Sequence, residues 1–430
     1  MKKFLVSFYL LGLIVTAEAQ DLQTIITDAE VQRVVGTLAS DEMEGRRTFT
    51  KGIDKAAAFI AAEFKSYGIQ PLKGSNQYLQ SFAMIRPKFI SASGMLNESA
   101  LDTKQIIAVT CSKALQLSEK SGYEVATIAK GANLFGEARK YSGLTKNTIV
   151  LVDTSFTSSF GRLAQLKGNM FYSDKSVVFI LTTETAIKSI TIDAKHDIQE
   201  MPLANVVGMI PGKTLPNEYI IFSGHYDHLG INSRNMVNND SIYNGANDDA
   251  AGTTAMMLLA KYYAATKNND RTLIFAAFTA EEVGGFGAQY FSKQFNPLDV
   301  KAMFNIEMIG SESKWGKNSA FITGYEKTDM GKLLQGNLTG TNFTFYPDPY
   351  TSQNLFYRSD NATLARLGVP AHTISTTKID VDPYYHKASD ELSTIDIPNM
   401  TQIIRSIALS ARGIISGKET PTRVDTSSLR

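Results

Sequence analysis

From residue 202 onward the chain alternates short apolar runs with polar breaks. "ANVVGMIPG", "EYIIFSG", "RTLIFAAFTA", "AMFNIEMIG" and "SAFITG" are each long enough for a buried strand and are bounded by turn or charged residues. Helical patterns fall between them, chiefly "AAGTTAMMLLAKYYAA" (250–265) and a short segment at 287–293, and a last helix is predicted over 398–415. Strands alternating with helices predict an α/β fold, a three-layer sandwich around a mixed, largely parallel central sheet. Nearer the start, residues 29–68 read as helical. Ile53, Ala57, Ile60 and Phe64 share one face at the 3.6-residue period, and Gly68 ends the run. Between about 90 and 200 the texture changes: β-rich runs such as "TIVLVDT" and "SVVFILTT" alternate with Gly, Ser and Lys. This predicts a small β-containing domain inserted at 95–198. It divides a larger domain into 20–94 and 199–416, with a loose polar tail at 417–430.

The N-terminus has its own pattern. Lys2 and Lys3 precede an apolar run over 4–15, and Ala17-Glu18-Ala19 supplies a small-x-small cleavage site. Residues 1–19 therefore read as a signal peptide, and the mature chain is expected to be exported, periplasmic or extracellular, with no membrane span. Cys111 is the only cysteine, so no intramolecular disulfide can form. Lysine and arginine total 43 against 42 acids. That balance gives no basic surface excess and argues against nucleic acid as a partner.

Ligands of open α/β sheets bind beyond the carboxyl ends of strands, so the residues that follow each strand carry the chemistry. After "YIIFSG" come His225, Asp227 and His228; this chain has only five histidines. "NGANDDAAG" places Asp248 and Asp249 at a helix mouth. Glu281 and Glu282 follow "RTLIFAAFTA", Glu307 lies inside an apolar run, and "YYHKASDE" supplies His386 and Asp390. Singly, each has an ordinary explanation: an Asp pair caps a helix and a Glu pair faces water. A carboxylate flanked by Ile306 and Met308 is harder to place, because burial costs several kcal/mol unless the group is paired or bound to metal. Imidazole and carboxylate together suit zinc. Two zinc ions about 3.5–4 Å apart can be held by five such groups if one carboxylate bridges. No His-Glu-x-x-His helix and no Gly-x-Ser-x-Gly elbow is present.

"GHYDHLG", "GANDDAAG", "TAEEVGGFGAQY", "FNIEMIG", "SDNATLARLGVPA" and "YYHKASD", in that order, resemble the co-catalytic zinc exopeptidases of the aminopeptidase and glutamate carboxypeptidase type. The leading "LASDEMEGRRTFTKGIDKAAAFIAAEFKSYGIQPL" is similar to that family's first segment, and the insertion sits where some members carry a protease-associated domain. The resemblance implies metal ligands at His225, Asp248, Glu282, Glu307 and His386. Asp248 would bridge, and Asp249 would follow it across a cis peptide. It further implies that Asp227 orients His225 and that Glu281 is the general base toward the water that attacks a peptide bond. Peptides are the implied substrates and two zinc ions the implied cofactors. Three departures stand out: Glu307 replaces a common Asp, Ala251 replaces a frequent serine, and His228 is surplus to the ligand set. An aminopeptidase is the leading expectation. A carboxypeptidase or dipeptidase would need arginines for the substrate carboxylate, for which Arg358 and Arg366 are candidates. Single-zinc glutaminyl cyclase chemistry and a non-catalytic binding role are the remaining alternatives.

Overall fold

The computed structural model describes residues 22–429; the signal-peptide reading at 1–19 lies outside them. The chain divides into two compact units, one formed by residues 82–202 and the other by the residues up to 81 and from 203 onward.

In the larger unit two helices come first: α1 (Asp28–Leu38) and α2 (Lys51–Tyr67). There follow β1 (Ile190–Ile210, of which residues 203–210 belong here), β2 (Leu215–His225), α3 (Gly252–Thr266) and β3 (Arg271–Phe278). Next are α4 (Phe286–Ser292), β4 (Val300–Ile306), β5 (Ser319–Ile322) and β6 (Thr344–Pro347). The unit ends with α5 (Asn361–Ala365), β7 (Ala371–Ser375) and α6 (Ile397–Ser410). The sheet runs β6-β5-β7-β4-β2-β3-β1. Strands β7, β4, β2 and β3 are mutually parallel, β1 runs antiparallel to β3, and β5 runs antiparallel to β7 but parallel to β6. This is the mixed, largely parallel sandwich that the alternating pattern predicts.

Strand alternation sends successive residues to opposite faces, and here both faces are apolar. Ile220, Phe222, Leu273, Phe275 and Phe304 pack under α2, α3 and α6, whereas Ile221, Ile274, Phe278 and Met303 pack against α4 and α5. The Phe222 ring stacks between Phe275 and Phe304 at 5.7 and 4.8 Å, locking the three central strands in register. Because β2, β3 and β4 run parallel and in register, their carboxyl ends stop side by side. That edge carries His225, Thr279–Glu282 and Glu307.

Three expectations change. The helix foreseen over 29–68 is broken at 41–46 by a tight turn in which Glu44, Gly45 and Arg46 all have positive φ. Ile53, Ala57, Ile60 and Phe64 do form a buried face, and Gly68 ends α2 at φ 75°. The smaller unit spans 82–202 rather than 95–198, because the strand Leu79–Leu96 continues through the point where composition shifts. Within it a four-stranded sheet is ordered Ile106–Val109, Val177–Thr182, Thr148–Asp153, Glu124–Ile128. The C-terminal tail is docked over its described residues. Buried Arg271 donates to the carbonyls of Ile414 and Glu419, Thr422 bonds Asp329, and Val424 is buried. Its anchors are polar and main-chain, so no apolar periodicity announces them.

Arg46 is wholly buried and donates to four main-chain carbonyls, those of Leu38, Tyr226, Asn244 and Gly245, at 2.5–3.0 Å. Its own carbonyl accepts from His228 N at 3.2 Å. One side chain thus ties α1 to the loops after β2 and before α3. Arg46→Met keeps the volume and leaves four buried carbonyls without a donor, so urea unfolding of the zinc-loaded chain should show a loss of about 3–5 kcal/mol. A loss below about 1 kcal/mol would contradict this role.

Candidate metal centre

The loop between β2 and α3 enters the site as a single wide turn, Ala246–Ala251, that joins the start of α3. Two glycines frame it. Gly245 has φ 56°, and a Cβ there would lie 2.2 Å from the Asp248 carbonyl. At Gly252 a Cβ would meet the Ile306 carbonyl at 2.0 Å, so only glycine lets α3 start against β4. Between them the Asp248–Asp249 peptide is cis.

Adjacent acids divide their tasks. Asp249 turns into the fold, where its carboxylate accepts from the main-chain N–H groups of His225 (3.2 Å), Gly252 (2.9 Å) and Met308 (3.0 Å). It thereby joins three strand and helix ends. Asp248 faces the opposite way: Oδ1 lies 3.2 Å from His225 Nε2, and Oδ2 lies 3.2 Å from His386 Nε2. Asp390 holds the loop from outside, accepting from the amides of Asn247 (2.9 Å) and Asp248 (3.0 Å). Glu282 reaches His386 Nε2 at 3.2 Å and His228 Nδ1 at 2.8 Å.

The described residues contain two groups whose donor atoms all lie within 4.8 Å of one another: His225, Asp248 and Glu307; and His228, Asp248 and Glu282. Asp248 belongs to both. His386 joins the second through its contacts with Asp248 and Glu282. All five expected ligands are therefore brought together. His228 is brought with them, which the surplus histidine of the sequence did not indicate. Its Nδ1 lies 2.8 Å from Glu282 and 4.0 Å from Asp248, whereas His386 Nε2 lies 3.2 Å from both.

Asp227 occupies its expected place with a different contact. The His225 ring meets the Asp227 main-chain carbonyl, at 3.1 Å from Nδ1, and the carboxylate stands 3.8 Å away. That carboxylate instead accepts from the amides of Glu281 (3.0 Å) and Glu282 (3.3 Å), fixing the end of β3. Glu281 is half-buried beside the donor groups.

Electrostatics favour a cation in this space. Burial raises the carboxyls of Glu281, Asp249 and Glu307, and neighbouring acids add to it. For Asp248 burial is outweighed by His225 and His386, which hold it well below the usual range. Burial lowers His386, yet Asp248 and Glu282 carry it up to about 10. Nε2 of His225 and of His228 are buried without a satisfied hydrogen bond. Unsatisfied imidazole nitrogens among crowded carboxylates fit a divalent metal such as zinc, which would take the place of the protons that otherwise bind them.

Two further residues are resolved by position. Asp360 precedes α5 without capping it; both oxygens are buried and unpartnered, and burial pushes the carboxyl to about 8. His372 sits in the core away from the donors, bonded to the Thr323 carbonyl and the Thr328 hydroxyl at 2.8 Å each. Arg46 and the bracing role of Asp390 were not foreseen. "EGRR" reads as surface charge, and Asp390 shares its motif with His386.

Residues 205–411 match the model of Peptidase family M28. Over 121 residues the chain is 31% identical to a "Probable zinc metalloprotease" of Pyrenophora tritici-repentis (strain Pt-1C-BFP), covering 28% of this chain and 27% of the relative. A protein with the same description from Pyrenophora teres f. teres matches equally over 25% of its length. The chain thus spans about a quarter of the length of the curated relatives it matches. Among solved structures, an aminopeptidase from Aneurinibacillus sp. strain AM-1 is similar at 18% identity and TM-score 0.53, covering 92% of this chain and 96% of that one. A zinc aminopeptidase from Bacillus subtilis is similar at 15% and 0.53, covering 91% and 95%. A Peptidase M28 precursor from Shewanella amazonensis SB2B is similar at 15% and 0.53, covering 95% and 98%. These likenesses establish the fold, and the match to Peptidase family M28 covers the segment that supplies all the gathered donors.

Proposed function

We propose that the protein is an exported zinc exopeptidase that removes residues from the amino end of peptides. The observation that carries this is the pairing of two donor groups through Asp248 with a carboxylate, Glu281, that is anchored beside them and committed to neither. His225, Asp248 and Glu307 would hold one zinc; Asp248, Glu282 and His386 the other. His228, bonded to Glu282 through Nδ1, orients that ligand. Zinc bound there supplies Lewis acidity toward a peptide carbonyl and lowers the pKa of water.

The chain's own groups do the rest. Glu281 lies next to ligand Glu282, and the Asp227 carboxylate accepts from both amides, so the two residues are held on one turn. The Glu281 carboxylate takes a proton from the attacking water and passes it to the departing amine nitrogen. Burial raises its affinity for that proton, which suits a group that must accept it and then hold it for transfer. Export is inferred from the "MKKFLVSFYLLGLIVTAEAQ" leader alone. Among the described residues no helix is long and apolar enough to cross a membrane.

Short peptides with free, N-acetylated or C-amidated ends discriminate the readings. Loss of the first residue, blocked by acetylation and by a chelator but not by amidation, is the expected result. Blockage by amidation alone would reassign the enzyme to the carboxyl end. Glu281→Gln should lower kcat by about 10²–10⁴ with zinc content unchanged. If kcat falls less than about tenfold, Glu281 is not the base.

A further inference from the structure

An exopeptidase needs one blind side, where the terminal residue stops, and one open side for the departing chain. Both flank the metal centre. Along Glu282, His228 and His386 runs an open cleft of about 610 Å³. Beside Glu307 and Tyr385 is a small recess of about 40 Å³, enough for roughly three water molecules. Tyr385 stacks on His386 at 3.9 Å, so the recess borders residues of both donor groups. Its size suits a short side chain better than a leucine or an aromatic ring.

The floor is apolar, from Met308 and Phe321, both buried. The charged residues that line it are Glu307 and Arg358. Glu307 is committed to metal in the reading above, which leaves Arg358 as the free charge. It is exposed, on the turn before α5, held through its main-chain N–H to the Leu355 carbonyl at 3.0 Å. Among the described residues its guanidinium has no carboxylate partner. Arg366 differs: it lies over the Tyr357 ring at 5.8 Å and does not line the recess. A planar fork of donors at the lip of a small recess matches a carboxylate.

We propose that Arg358 is a specificity-determining residue, and that the enzyme prefers a terminal residue with a short acidic side chain, aspartate above all. This rests on the amino-end reading of the same site. A carboxylate could also come from the end of a peptide, so the test separates the two sources.

The test is calorimetric binding to the zinc-loaded Glu281→Gln chain, in which hydrolysis does not interfere, of aspartic acid α-amide, asparagine α-amide and asparagine. The aspartyl amide should bind at least about tenfold more tightly than the asparaginyl amide, as one charge-assisted contact warrants. Arg358→Gln should bring that ratio to near one, and Arg358→Lys should keep part of it. Equal binding of the two amides, or a ratio that survives Arg358→Gln, overturns the proposal. So does a result in which Arg358→Gln abolishes only the advantage of asparagine over its amide, since Arg358 would then hold a terminal carboxylate. Binding is read without turnover, so failure of the amino-end reading shows separately, as no trimming of free N-terminal peptides by the unsubstituted enzyme.

Discussion

Acidic crowding at the carboxyl ends of β2, β3 and β4 is the constraint on which the rest of the larger unit depends. Asp227, Asp248, Asp249, Glu281, Glu282, Glu307, Asp360 and Asp390 all converge there, most of them buried. Carboxylates that close repel one another, and burial amplifies the repulsion. A fold can keep them only by giving each a donor, a proton or a metal. Arg46 is the buried guanidinium placed among them, and the charges of Asp390, Asp248, Asp227 and Asp249 favour its ionised form against burial. It spends its donors on carbonyls, not on carboxylates. It thus fixes the loops while adding positive potential to the whole cluster.

The remaining acids sort by what they accept from. Asp227, Asp249 and Asp390 take main-chain amides and act as braces. That leaves Asp248, Glu282 and Glu307 turned toward imidazoles and toward one another, with Glu281 beside them and outside both groups. The two adjacent acid pairs, Asp248–Asp249 and Glu281–Glu282, are the local form of this division. In each, one residue faces the gathered imidazoles and its neighbour does not join the same contacts.

The sequence was most legible where burial acts on a run of residues. The apolar strands are hydrophobic on both faces because helices cover both, and their order revealed the sheet. The donors were legible because strand ends are where an α/β sheet places chemistry, and because a glutamate inside "FNIEMIG" has no cheap alternative. Less legible were features made by single long-range contacts. Arg46 sits in a charged stretch and owes its burial to carbonyls nearly 200 positions away. His228 looked like a loop residue because its partner, Glu282, arrives from another strand. The tail reads as disordered by composition, yet Arg271 and Asp329 hold it through polar contacts that leave no periodic trace.

Anomalous diffraction at the zinc edge from crystals of the metal-loaded protein would locate the ions among these donors. Two peaks about 3.5–4 Å apart are expected, one within bonding distance of His225, Asp248 and Glu307 and one of Asp248, Glu282 and His386. A single peak, or a second peak bound by His228 with His386 turned away, would contradict the assignment of Asp248 and His386 on which the whole reading rests.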